Sequence, residues 1–202
     1  MKPLSFLAAL GLPLLSLAAQ AQTTTAPVLT ASALRVGETA PAFKALDAAG
    51  QPVELNQLLK KGPVVLYFYR GQWCPYCNKQ LSQLQDSLQQ LTAKGAQVVV
   101  VSPETQENIG QTVGKTKASF PIIHDQGFTI MRAYRTAYTV DETTATKYQG
   151  FGLDLKKANG ADAAVLPVPA TYVIGQNGKI KFAYFNPDYR KRVSVKQVVQ
   201  AL

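Results

Sequence analysis

Two cysteines, Cys74 and Cys77, stand two residues apart in the stretch YFYRGQWCPYCNKQL, Tyr67 to Leu81, and the chain has no others. At that spacing one thiolate can attack a partner while the second closes a disulfide and expels it. A small exported protein stapled for stability would carry several cysteine pairs. Closing so short a loop adds little stability, so the pair reads as chemical rather than structural. Arg70 lies close enough in sequence to place a guanidinium beside either thiolate, or beside negative charge developing on a peroxide oxygen. Trp73 and Tyr76 flank the sulfurs and shape a docking surface. A four-ligand zinc centre needs more than these two thiols and the single histidine, His124. A copper(I) carrier built on Cys74, Cys77 and His124 stays open as an alternative, with His124 otherwise a loop residue. No cofactor is expected.

The elements around the pair set its geometry. From Pro75 to Lys94 the leucines 81, 84, 88 and 91 form a helical stripe, and Gly95 ends it. Cys77 falls four residues before Leu81, on the core-facing side of the first turn. Pro75 fits the first helical position, which makes Cys74 the capping residue with its sulfur near the surface. Unpaired amides and the positive end of the helix dipole should then lower the Cys74 pKa.

Upstream, PVVLYFY (Pro63 to Tyr69) reads as a strand buried on both faces, and AQVVVVS as the next, giving a parallel βαβ unit. Short strands near Ala42 to Leu46 and beyond the AAGQ turn precede it, with a helical turn at Glu54 to Lys60. Helices are expected over Glu104 to Lys117 and Thr129 to Arg135, around a short strand at FPIIHD. Tyr138 to Leu166 shows weak patterning and reads as an irregular excursion. PATYVIGQNGKIKFAYF reads as a hairpin, and the last helix is capped by Ser194 with Gln197 three residues on. The sum is a mixed sheet flanked by helices.

The first residues, 1–21, have a positive start at Lys2, an apolar run broken by Pro13, and small residues at Ala19 and Ala21. That is the layout of a secretory signal cleaved near Ala21, which predicts a periplasmic or secreted protein without stable membrane insertion. Residues 22–34 read as a flexible tether and 35–202 as a single domain. A content of 47% hydrophobic and 16% charged residues fits a globular core rather than a disordered chain. The formal charge of +9 is spread as scattered pairs and the cluster Arg190, Lys191, Arg192. Such spreading describes a solvated surface and argues against a nucleic-acid partner.

The segment WCPYC resembles the redox site of thioredoxins and glutaredoxins. The wider frame, VGETAPAFKALDAAGQPVEL, then VVLYFYRGQWCPYC and VPATYVIGQNGKIKFAYFNPDYRKR, is similar to peroxiredoxin-like proteins of the alkyl hydroperoxide reductase and thiol-specific antioxidant superfamily. The resemblance runs from about Leu34 to the end and implies an α/β, thioredoxin-like fold. It implies two activities. In the thioredoxin manner Cys74 attacks a protein or small-molecule disulfide and Cys77 resolves. In the peroxiredoxin manner Cys77 meets a peroxide and Cys74 resolves. The peroxiredoxin threonine position falls on Cys74, its proline position on Arg70, and its late arginine near Pro169, so only the cysteine survives. An external thiol would supply or accept electrons. VPAT resembles the cis-proline segment of thioredoxins, so a cis Val168–Pro169 bond is expected, with the Val168 backbone offering strand-like contacts to a substrate. These features favour thiol–disulfide exchange as the expected function.

Overall fold

A computed structural model describes residues 30–202. The expected signal segment and most of the tether lie outside the described residues. Among these described residues nine strands and eight α-helices follow in the order β1 (Lys44–Leu46), β2 (Pro52–Glu54), α1 (Leu55–Lys61), β3 (Val64–Phe68), α2 (Pro75–Asp86), α3 (Leu88–Thr92) and β4 (Gln97–Ser102). The second half runs α4 (Gln106–Thr116), β5 (Ile122–His124), α5 (Thr129–Ala133), β6 (Ala137–Thr139), α6 (Glu142–Gly150), α7 (Leu155–Asn159), β7 (Val165–Pro167), β8 (Ala170–Ile174), β9 (Ile180–Phe185) and α8 (Val195–Ala201). No described helix is long and apolar enough to cross a membrane.

The central sheet has the order β5-β4-β3-β8-β9. β3, β4 and β5 run parallel, while β8 is antiparallel to both β3 and β9. Every residue of β3 is buried, as a run of β-branched and aromatic side chains without polar alternation requires. Successive side chains point to opposite faces. Leu66 and Phe68 therefore join one core with Val99, Val101, Met131, Tyr134 and Tyr172. Val65, Tyr67 and Tyr69 join another with both cysteines, Leu81, Leu84, Val100 and Val198. The thioredoxin-like α/β architecture with a mixed sheet between helices is thus present.

Three local expectations are corrected. The helix from Pro75 breaks at Ser87 (φ −104°, ψ 6°) into α2 and α3, so the leucine stripe continues across a bend. The packed fold begins before residue 35: Leu34 is 4% exposed in the core, and the Ser32 amide donates to the Arg135 carbonyl at 2.9 Å. The excursion is ordered rather than irregular. β6 and β7 pair antiparallel at its base, and α6 and α7 cap their ends with Asp141 and Asp154, whose carboxylates accept backbone N–H groups. Its weak pattern reflects α6 having no buried residue, so no apolar stripe betrays the helix.

Leu81 is fully buried one helical turn beyond Cys77. Leu81→Ala should lower unfolding stability by about 2–5 kcal/mol, since the site empties into a close-packed core. Chemical denaturation of both proteins reads this directly.

Candidate active site

β3 runs out at Phe68, and the chain turns through Gly71 so that Cys74 caps α2 with φ −91° and ψ 110°. Pro75 takes the first helical position, where its missing N–H leaves no bond unmade. The Cys74 amide donates to the Gly71 carbonyl at 3.1 Å, and Asn78 Nδ2 donates to the Gln72 carbonyl at 2.7 Å. A Cβ at Gly71 would lie 2.4 Å from Trp73 Nε1 and 2.7 Å from Glu104 Oε1, so only glycine lets these groups approach the loop.

Both cysteines are free thiols at the start of α2, as the spacing predicts, but Cys74 is not at the surface. It is 1% exposed, on the floor of a cavity of about 280 Å³ shared with Arg70, Trp73, Tyr148 and Tyr189. Tyr148 comes from the excursion and Tyr189 from the segment after β9, two covers that local sequence did not reveal. Cys77 is 0% exposed in the first turn of α2, as expected.

The two sulfurs diverge in acidity. Cys74 is held down to about 6, chiefly by the Cys77 thiol acting as donor, against burial, with the Cys77 backbone amide, Arg70 and Arg192 adding to the lowering. The neighbouring thiol thus contributes more to this lowering than the Cys77 amide at the helix start. Burial pushes Cys77 well above the ordinary thiol range, and Cys74 adds to the rise. Cys74 is therefore the more acidic sulfur of the pair.

Arg70 is present at the site, though 2% exposed. It donates to the Tyr148 hydroxyl, and its guanidinium stacks 4.2 Å from the Tyr189 ring centre, 4.9 Å from Trp73 and 5.7 Å from Tyr148. Two further groups escaped the sequence. Arg192, counted with the surface cluster, brings its Nη2 to 3.5 Å from Cys77 Sγ. No local pattern could place it there, because the contact spans 115 positions. Glu104 is fully buried; one carboxyl oxygen accepts the Gln72 amide at 2.7 Å and the other has no partner. Burial raises its pKa to about 8, with the Cys77 charge adding to the rise and Gln72 and Lys115 opposing it. The available signal was an acidic residue directly after the buried run VVVVSP.

Three expectations are not met. The Val168–Pro169 bond is trans, the ordinary state for such a bond. The Val168 amide donates to the Thr136 carbonyl at 2.8 Å, so it is not free for a substrate strand. Neither Val168 nor Pro169 lines the cavity at Cys74. His124 lies in a separate cavity of about 430 Å³ with Lys44, Gln106 and Asp125. No group of three His, Cys, Asp or Glu side chains among the described residues is placed to hold a metal, so the copper(I) set Cys74, Cys77 and His124 does not assemble.

The sequence model of the AhpC/TSA family matches residues 36–183. The chain is 30% identical over 150 residues to chloroplastic peroxiredoxin Q of Sedum lineare, covering 74% of this chain and 68% of that protein. It is 31% identical over 104 residues to the thiol-disulfide oxidoreductase ResA of Halalkalibacterium halodurans, covering 51% of this chain and 58% of the relative. In structure it is similar to the peroxidoxin BcpB from Mycobacterium tuberculosis, with a TM-score of 0.64 at 19% identity, over 83% of this chain and 96% of the other. A putative protein disulfide isomerase from Bacteroides thetaiotaomicron aligns with a TM-score of 0.59 at 19% identity, over 85% and 91% of the two chains.

Proposed function

This chain belongs to the AhpC/TSA family and is an oxidoreductase, and we propose that it exchanges disulfides through Cys74 and Cys77. The Cys74 thiolate attacks one sulfur of a substrate disulfide, forming a mixed disulfide and releasing the other half as a thiolate. Cys77 then loses its proton and attacks Cys74 Sγ. The intramolecular disulfide forms and the second substrate half leaves as a thiolate, so the pair gives up two electrons and the Cys77 proton, and solvent supplies the other proton that makes both substrate halves thiols. Glu104, buried beside the Gln72 amide with one oxygen free, is the base suited to take the Cys77 proton. Arg192 beside Cys77 Sγ stabilises the thiolate that results. An external thiol resets the pair.

The observation that carries this reading is the divergence of the two sulfurs, with the acidic one at the helix cap facing the cavity. The likeness to a thiol-disulfide oxidoreductase supports it. Exposing the reduced protein to a peptide disulfide and, separately, to hydrogen peroxide tests it, with sulfur states read by mass spectrometry.

A second reading is favoured by the Arg192 contact and the likeness to peroxiredoxin Q. Here the Cys77 thiolate attacks a peroxide, becoming a sulfenic acid as an alcohol or water leaves, and Cys74 displaces water to close the disulfide. Rapid sulfenic acid at Cys77 in Cys74→Ser would establish this route instead. Export to the periplasm or medium is proposed from the signal-like residues 1–21. Amino-terminal sequencing of the mature protein should begin near Gln22.

A further inference from the structure

We infer that the substrate carries an aromatic or similarly flat apolar group next to its reacting sulfur, and that the excursion between β6 and β7 exists to hold that group. This rests on the proposed disulfide exchange and specifies its substrate.

Cys74 is 1% exposed, so a partner sulfur has to arrive through the cavity of about 280 Å³ above it. That space falls just below the roughly 300–1,000 Å³ of pockets that enclose a whole drug-sized ligand. It suits one side-chain-sized group beside the reacting atom. The walls decide the kind of group. Trp73 and Tyr76 flank the cysteines, Tyr148, Phe151 and Leu153 come from the excursion, and Tyr189 closes the far side. No carboxylate lines the space. Its one cation, Arg70, already stacks on three rings and is bonded to the Tyr148 hydroxyl, so it is not an open receptor for an anion.

The rim gives an independent sign. Phe151 is 88% exposed at the end of α6, held by a turn in which Gly152 adopts φ +80° and donates to the Gln149 carbonyl. Tyr76 and Tyr189, also on the rim, are 41% and 40% exposed and meet edge to face at 5.8 Å. Exposed rings gathered at the mouth of a reactive cavity mark a surface that an apolar ligand completes. The chemistry could come from a peptide with an aromatic residue beside its cysteine or from a small aryl-alkyl disulfide.

Single-turnover reduction by the reduced full chain separates these. Disulfide dimers of N-acetyl-Phe-Cys-amide and N-acetyl-Gly-Cys-amide form one pair of substrates. The 2-phenylethyl 2-hydroxyethyl disulfide and bis(2-hydroxyethyl) disulfide form the other, with released thiol quantified by chromatography. The ring-bearing member should react about 10-fold faster or more, as a filled apolar subsite commonly provides. The ratio should fall toward one in Phe151→Ala, a substitution whose exposed site poses no threat to folding. A preference confined to the peptide pair supports a peptide source, and one in both pairs supports a small molecule. A ratio near one in the unmodified protein, with Cys74 still reacting, overturns this inference alone, as does a ratio unmoved in Phe151→Ala. Failure of every disulfide to react overturns the exchange reading and this inference together.

Discussion

Cys74→Ser should lose disulfide reduction down to the background rate, while Cys77→Ser should keep the first attack and stop there. The asymmetry follows from the site. Cys74 is the sulfur facing the cavity, held at about 6 by its neighbour's thiol, and is largely thiolate at neutral pH. Cys77 is sealed in the first turn of α2 with its pKa raised by burial, so it cannot replace the missing nucleophile. Serine at 74 leaves a hydroxyl that does not ionise in this range. Serine at 77 cannot expel a bound partner, so a mixed disulfide at Cys74 should accumulate one to one with protein. Intact-mass measurement checks both. A stable adduct at Cys77 in Cys74→Ser, formed at the unmodified rate, would reverse the roles.

Glu104→Gln should slow the second step, closure of the Cys74–Cys77 disulfide, by about 10²–10⁴-fold, the usual contribution of a positioned base. Glutamine retains an oxygen to accept the Gln72 amide, so the loop before the cysteines keeps its bond. Attack by Cys74 should change little, which a merely structural role would not predict. The pH profile supplies the separate readout. The closure rate should rise with pH through about 8 as Glu104 ionises, and that limb should vanish in the variant. Groups facing the carboxyl are Cys77 from α2, Lys115 from α4 and Tyr69 at the end of β3.

Stability carries the same signature. The folded pKa of Glu104 is raised from 4.5 to about 8, so the native state holds the proton more tightly. Its stabilising contribution is full below pH 4.5 and is lost as pH rises through about 8. Cys74 has the opposite sign: lowered from 9.0 to about 6, it contributes fully above pH 9.0 and its contribution fades as pH falls through about 6. Denaturation midpoints of Glu104→Gln should therefore fall less between pH 5 and 8 than those of the unmodified protein.

Local patterns made much of this legible. Pro75 after Cys74, and Cys77 one turn before Leu81, set cap and core-facing sulfur from spacing alone, because helix periodicity is a short-range property. The all-buried β3 and the Ser194–Gln197 capping box are similarly local. What stayed hidden depends on pairings far apart in the chain. Arg192 reaches Cys77 across 115 positions, and Tyr148 and Tyr189 bury Cys74 from segments whose sequences carry no stripe or motif pointing there. The Val168 amide looked available in sequence because nothing near it discloses that Thr136 accepts its hydrogen. The excursion was opaque for a related reason: a helix with no buried face leaves no apolar period to detect.

Cys74, at the start of α2, is the acidic thiol of the pair. Thiolate absorbance near 240 nm, followed through a pH titration of the reduced protein, tests it when combined with alkylation at each pH and peptide mapping of the labelled sulfur. One thiol should ionise with a midpoint near 6 and label at Cys74, while Cys77 stays protonated well beyond it. First ionisation near the free-thiol value of about 8.5, or labelling that begins at Cys77, would show that Cys74 is not the acidic thiol.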